Sequence, residues 1–253
     1  MDQRTNNVTG LGDGSALHHP LGRPSAPHGR FRRLLRATIH FLSYNFILKR
    51  QGTQFTRAAG FRLTVPPTVF HPRYFISSER FADFVGRLDL RGQRVIDVGT
   101  GSGILALAAA RAGAAYVLAA DINPNAARSA AQNAHDNGYG DRVSAVCADL
   151  LSGFAPCPLF DVILSSPAKH DGEPRDLADQ GWHAGPNYRN IAPLFDQARE
   201  RLKPGGRIYV MVSSDTDLNL FGRLIEQAGF RATLVHEHSL IIETMIIYEL
   251  VAR

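Results

Sequence analysis

Apolar and polar positions alternate in different ways along the chain, and the changes mark its organisation. Residues 1–29 hold few apolar positions among Gly, Pro, Ser, Asn and His. Such a segment cannot offset the entropy lost on ordering, so a disordered tail is expected. From Phe31 to Arg50 the residues Phe31, Leu34, Leu35, Ile39, Leu42 and Phe46 recur at helical spacing, with Arg32, Arg33, Arg36 and His40 between them. This predicts one amphipathic helix. The prolines of VPPTVFHP (65–72) exclude helix there, and a helix is expected at about 78–87.

After Gly92 the rhythm changes to short, continuously apolar runs: RVIDV (94–98), YVLAA (116–120), RVSAVC (142–147), FDVILS (160–165) and RIYVMV (207–212). Helical stretches near 103–112, 124–137, 190–202 and 217–228 separate most of them. Continuous apolar strands alternating with helices predict a parallel α/β sheet covered on both faces. RATLVHE (231–237) and ETMIIYELV (243–251) follow with a connection too short for a crossover helix. The last strand should therefore insert antiparallel. The expected architecture is a seven-stranded, mostly parallel sheet with the last strand reversed, behind a tail (1–30) and a helical extension (31–90), with the main domain at 91–253.

Charge sharpens this division. Residues 1–60 contribute +7 and the remainder −2 to a net charge of +5. A basic arm is a candidate for nucleic acid or an acidic surface; the alternative is a solvated tail and an arginine-faced helix. The longest apolar region, ILALAAARAGAAYVLAA (104–120), is interrupted by Arg111 and Gly113, so no membrane span is expected. Cys147 and Cys157 fit neither a disulfide framework nor a zinc site, which suits a reducing cytoplasm.

The candidate chemistry lies at the carboxyl ends of the strands. VIDVGTGSGILALAAA (95–110) sets Gly99, Gly101 and Gly103 between a strand and a helix, where a ligand can approach the backbone closely. The dinucleotide fingerprint would need glycine at Ile104, and Asp97 beside the loop would repel a pyrophosphate. A carboxylate there suits a ligand with an amine or a cation. Asp121, closing the second strand in AADINPNAA, is positioned to accept bonds from two ribose hydroxyls. Alternatively, Asp121 or Asn123 only caps the helix that begins at Pro124. Asp149, in CADLL, lies on the same rim, either as an acceptor for an adenine amino group or as an ordinary loop aspartate.

Together these residues resemble the class I methyltransferases that use S-adenosylmethionine, over roughly 61–253. The resemblance implies a Rossmann-like fold, with Gly99, Thr100, Gly101 and Gly103 close to the methionine portion of the cofactor. It also implies that Asp121 holds the ribose, that Ile122, Asp149 and Leu150 border the adenine, and that Asp97, Ser78 and Ser165 belong to the cofactor site. More narrowly, the chain is similar to the methyltransferases that modify glutamine on protein release factors. It shares with them the character of VFHPRYFISSE (69–79), EPRDLADQGWHAGPNYR (173–189) and LKPGGRIYVMVSSDTD (202–217).

In that group the fourth strand ends in Asn-Pro-Pro-Tyr, whose asparagine side chain and proline carbonyl orient a planar nitrogen toward the methyl group. Here the positions are Ser166, Pro167, Ala168 and Lys169. Serine lacks the donor–acceptor fork of asparagine, so transfer is expected to a nitrogen or oxygen of a protein or small molecule other than a glutamine amide. Lys169 and His170 either bind an anionic acceptor, with His170 as a base near neutral pH, or are solvated loop side chains. By analogy Trp182 borders the acceptor pocket; otherwise Trp182 and His183 are a lid anchor and a surface histidine. A small-metabolite methyltransferase and a non-catalytic cofactor-binding protein docked to RNA or a ribosome are the other readings.

Overall fold

A computed structural model describes residues 51–72, 76–239 and 243–253. The tail at 1–29, the helix at 31–50 and most of the basic arm therefore lie outside the described residues. The first described element is a hairpin, β1 (Gln54–Ala58) and β2 (Phe61–Val65). Its turn, Ala59–Gly60, has φ of 49° and 82°, the left-handed geometry that matches the twist of paired strands. Phe61, Leu63 and Val65 face the core while Arg62 is exposed. The extension expected to be helical over 31–90 thus contains a strand pair.

α1 (Ile76–Val85) leads into the main sheet. Its elements are β3 (Arg94–Val98), α2 (Ile104–Arg111), β4 (Tyr116–Asp121), α3 (Pro124–Asp136), β5 (Val143–Cys147), β6 (Phe160–Ser165), α4 (Pro193–Arg201), β7 (Leu202–Ser213), α5 (Leu218–Gln227), β8 (Phe230–Ser239) and β9 (Thr244–Ala252). The strand order is β5-β4-β3-β6-β7-β9-β8, with β9 antiparallel to both neighbours and β3 to β7 parallel. This is the expected Rossmann-like sheet. β7 is longer than the run at 207–212, because Leu202 already pairs with Phe160 ahead of a register irregularity.

The strands read as continuously apolar because alternate residues feed two cores. Val95, Val117, Val162 and Met211 pack with α1, α2, α3 and the hairpin. Ile96, Ala120, Ile163 and Val210 pack with α4 and α5. α2 is buried all round from Ile104 to Ala110, as a helix wedged between a sheet, two other helices and a hairpin must be. Among the described residues no helix is long and apolar enough to cross a membrane.

One side chain joins the hairpin to the main domain. Asn133 on α3 is fully buried, accepts from Thr64 N at 2.7 Å, and donates to Thr64 O at 3.0 Å and to Ser102 O at 2.8 Å. The hairpin and the glycine loop therefore share one amide group.

Candidate active site

At the carboxyl end of β3 the chain turns through the glycine loop, and two adjacent N–H groups, those of Gly99 and Thr100, donate to Ala120 O at 2.9 and 3.0 Å. These bonds fix the loop on the end of β4. Gly103 must be glycine for a local reason: its φ is 82°, and an added Cβ would sit 2.9 Å from Ala130 Cα. Loop and α3 are thus in backbone contact.

Asp97, fully buried, lies beneath this loop and accepts from Thr100 Oγ1 at 2.6 Å, whereas its Oδ1 has no hydrogen-bond partner among the described residues. Burial pushes its carboxyl up to about 7; the Thr100 bond opposes the shift and the charge of Asp121 adds to it. Asp121 accepts from Gly101 N at 2.8 Å and from Asn123 N at 2.9 Å. Burial raises its pKa and these two N–H groups lower it. The helix cap is Asn123, whose side chain accepts from Asn125 N. Asp121 is therefore left to brace the loop.

A cavity of about 460 Å³ opens at this end of the sheet, within the ~300–1,000 Å³ usual for small-molecule sites. Of the residues expected at the site, it is lined by Ser78, Gly99, Thr100, Gly101, Asp121, Ile122, Asp149, Leu150, Ser165, Ser166, Pro167 and Lys169. Asp97, Gly103 and His170 do not line it. Asp97 supports the loop from below, Gly103 meets α3, and His170 stacks against Trp182 with ring centroids 5.2 Å apart. The donor set fits S-adenosylmethionine. Asp121 offers carboxylate oxygens for a diol, and Ile122, a large apolar residue left 44 % exposed at the rim, offers a face for a flat heterocycle.

The acceptor end is built from β6, β7 and a looped segment between β6 and α4. Ser165 Oγ donates to Val98 O at 3.0 Å, buried below the rim. Lys169 Nζ donates to Glu243 Oε2 at 2.5 Å and lies 5.3 Å from the Trp182 ring centroid. The same carboxylate oxygen accepts from Ser213 Oγ at 2.9 Å. Lys169 is therefore charge-compensated rather than a lone cation facing an anionic acceptor. The loop is held down by Tyr188, whose hydroxyl donates to Lys169 O and accepts from Asp217 N, each at 3.0 Å. Trp182 O accepts from His170 N at 3.2 Å, and Ala184 N donates to His170 O at 2.9 Å, which brings Trp182 and His183 to the cavity wall.

Sequence reasoning missed Phe70, Ser213 and Glu243 in this wall. Glu243 had a usable signal, since it is an acid immediately before the largely apolar strand β9. Phe70 sits in the proline-rich segment strapped to α3 by Asn123 Nδ2, which donates to Thr68 O at 2.9 Å; nothing in its own sequence announced that contact.

Over residues 83–165 the chain matches the family model described as ribosomal protein L11 methyltransferase (PrmA). The ribosomal protein L11 methyltransferase of Deinococcus radiodurans is 47 % identical over 177 residues, covering 69 % of this chain and 58 % of that protein. That of Methylococcus capsulatus is 33 % identical over 152 residues, covering 60 % and 41 %. The chain spans about half the length of these curated relatives. Among solved structures, the ribosomal protein L11 methylase of Lactobacillus delbrueckii subsp. bulgaricus aligns with a TM-score of 0.53 at 22 % identity, over 73 % of this chain and 82 % of that one. A T. thermophilus 16S rRNA N2 methyltransferase in complex with AdoMet and guanosine gives 0.56 at 21 % identity, over 80 % and 50 %. The fold is that of class I methyltransferases. The sequence likeness runs to the L11 group, and these matches do not support the narrower resemblance to release-factor enzymes.

Proposed function

We propose that the chain is an S-adenosylmethionine-dependent methyltransferase acting on a nitrogen of a protein, with ribosomal protein L11 as the acceptor to test first. The observation that carries this reading is that one cavity of about 460 Å³ joins Gly99, Gly101 and Asp121 to Ser166 and Pro167. In-line transfer requires donor and acceptor in one water-poor space, and holding them in register is worth up to roughly 7–11 kcal/mol. The sequence likeness to L11 methyltransferases supports the choice of acceptor.

In this reading Gly99, Thr100 and Gly101 lie along the methionine portion, Asp121 holds the ribose, and Ile122, Asp149 and Leu150 border the adenine. Ser78 and Ser165 flank the cofactor, while Ser166 and the carbonyl of Pro167 orient the acceptor nitrogen. The Lys169–Glu243 pair favours an acceptor without net negative charge, since Glu243 already compensates the ammonium. A ribosomal acceptor implies action in the cytoplasm.

Tritium-labelled S-adenosylmethionine and purified ribosomal protein L11 test the reading, with calorimetry of cofactor binding in parallel. Label is expected in L11. Binding without transfer would remove L11 as the acceptor, and absence of binding would remove the methyltransferase reading altogether.

A further inference from the structure

The acceptor wall already holds one ammonium group, its own. Lys169 Nζ donates to Glu243 Oε2 at 2.5 Å and lies 5.3 Å from the Trp182 ring centroid. Ser213 Oγ donates to the same oxygen at 2.9 Å and accepts from Asp215 N at 3.0 Å, so the backbone turns the hydroxyl proton toward the carboxylate. A carboxylate and an aromatic face around one cation are the elements of an ammonium site. All four side chains line the cavity that also holds Ser166 and Pro167. They come from the segment between β6 and α4, the end of β7 and the residue before β9.

Lys169 fills this site incompletely. An ammonium has three N–H donors, and among the described residues one of them is used, on Glu243. Glu243 has an oxygen to spare: Oε1 makes no hydrogen bond among the described residues, and the side chain is partly exposed rather than sealed. Lys169 is also a long side chain held at its tip by one bond, and its release to solvent restores rotamer freedom. A second ammonium entering the cavity can take its place on Glu243 as an exchange of like for like. A neutral amide or hydroxyl cannot, because it would leave the half-buried carboxylate without a counter-charge.

We propose that Glu243, with Ser213 and Trp182, is an ammonium subsite of the acceptor pocket, and that Lys169 occupies it until an acceptor carrying a protonated amine displaces it. In its bearing on the acceptor this rests on the methyltransferase reading above and deepens it. Glu243 is a specificity-determining residue that selects an amine over an amide, and Lys169 is an internal competitor that sets how tightly the acceptor binds. The subsite governs binding; loss of the ammonium proton before transfer is a separate step.

The chain has one tryptophan, Trp182, so its emission reports on this wall. The experiment titrates that emission with n-butylammonium chloride, protonated at pH 7.5 as a lysine side chain is, and with n-butanol and sodium chloride at equal concentrations. The proteins are wild type, Lys169→Met, which keeps the apolar stem, Glu243→Gln, and the double variant, which leaves neither charge unpaired should a single variant fail to fold. Thermal midpoint and S-adenosylmethionine affinity report folding. Saturable binding of butylammonium is expected in wild type, roughly tenfold tighter in Lys169→Met and roughly tenfold or more weaker in Glu243→Gln and in the double variant. Neither n-butanol nor sodium chloride should give a saturable change. With ribosomal protein L11 as acceptor the same ranking should appear in KM, with kcat moving less. Butylammonium that binds Lys169→Met no more tightly than wild type, that binds Glu243→Gln as tightly as wild type, or that n-butanol matches, would overturn the subsite. The titrations need neither cofactor nor acceptor, so their failure is distinct from failure of the methyltransferase reading, which calorimetry of S-adenosylmethionine decides.

Discussion

Gly101 donates its backbone N–H to Asp121 Oδ2 at 2.8 Å, so the residue assigned to the ribose also holds the loop assigned to the methionine. Replacing Asp121 with Ala removes this bond, the bond from Asn123, and the charge-assisted bonds to the ligand. Affinity for S-adenosylmethionine is expected to fall roughly 10- to 100-fold, or about 1.5–3 kcal/mol. Asp121→Asn keeps an acceptor and should lose less. Calorimetry that gives the same dissociation constant for wild type and Asp121→Ala would reject the assignment.

Asp97 predicts a pH effect on stability. Its folded-state pKa, about 7, lies above the ordinary 3.8, so the folded protein binds this proton more tightly than the unfolded chain. The cost of burying the group is absent below the unfolded value, grows as pH rises, and is complete above about pH 7. At 1.36 kcal/mol per unit it reaches at most about 4 kcal/mol. Asp97→Asn should therefore gain more stability over wild type at about pH 8 than at about pH 5. Urea unfolding at both pH values measures it, and a pH-independent difference would count against the buried carboxyl.

Lys169 and Glu243 are 23 % and 20 % exposed, between the surface and buried limits for an ion pair. A double-mutant cycle should give a coupling of about 1–3 kcal/mol. The double Ala variant should be more stable than the sum of the singles implies, because each single leaves a half-buried charge uncompensated. A coupling near zero would instead describe two solvated side chains.

Gly103 and Gly99 separate packing from ligand approach. Gly103→Ala forces an L residue to positive φ, about 1–2 kcal/mol, and drives Cβ into the α3 backbone, about 1–3 kcal/mol more. Gly99→Ala meets no atom within 4 Å and should cost stability only through strain. Denaturant midpoints should rank Gly103→Ala below Gly99→Ala. Equal losses would mean that the contact with Ala130 relaxes freely.

The parallel sheet was legible because both faces of each strand are buried, which writes itself as runs such as VIDV and VILS. The reversed last strand followed from one short connection. The hairpin was not legible: its turn is Ala59–Gly60, without the Asn or Asp that usually signals one, and its two strands have only five residues each. At the site, the glycine loop and Asp121 could be read from spacing, since adjacent parallel strands bring their carboxyl ends to one rim. The closure of the acceptor wall by Glu243 could not, because Glu243 reaches Lys169 across 74 residues. Likewise His183 reaches the cavity only through its backbone pairing with His170. His170, read from the sequence as an anion-binding or basic group or else as a solvated side chain, packs against Trp182.

The amide of Asn133 ties Thr64 in the hairpin to Ser102 in the glycine loop, and this bears on how the molecule opens. A unit of local unfolding is defined by the bonds that must break together. Peeling the hairpin away would strip two bonds from one buried side chain and leave its carbonyl oxygen unpaired beside the remaining bond to Ser102, so the amides of β2 and of the loop should exchange with solvent at similar rates. A boundary at residue 91 passes through that unit, and truncation there is expected to loosen the glycine loop through the loss of the Thr64 bonds to Asn133.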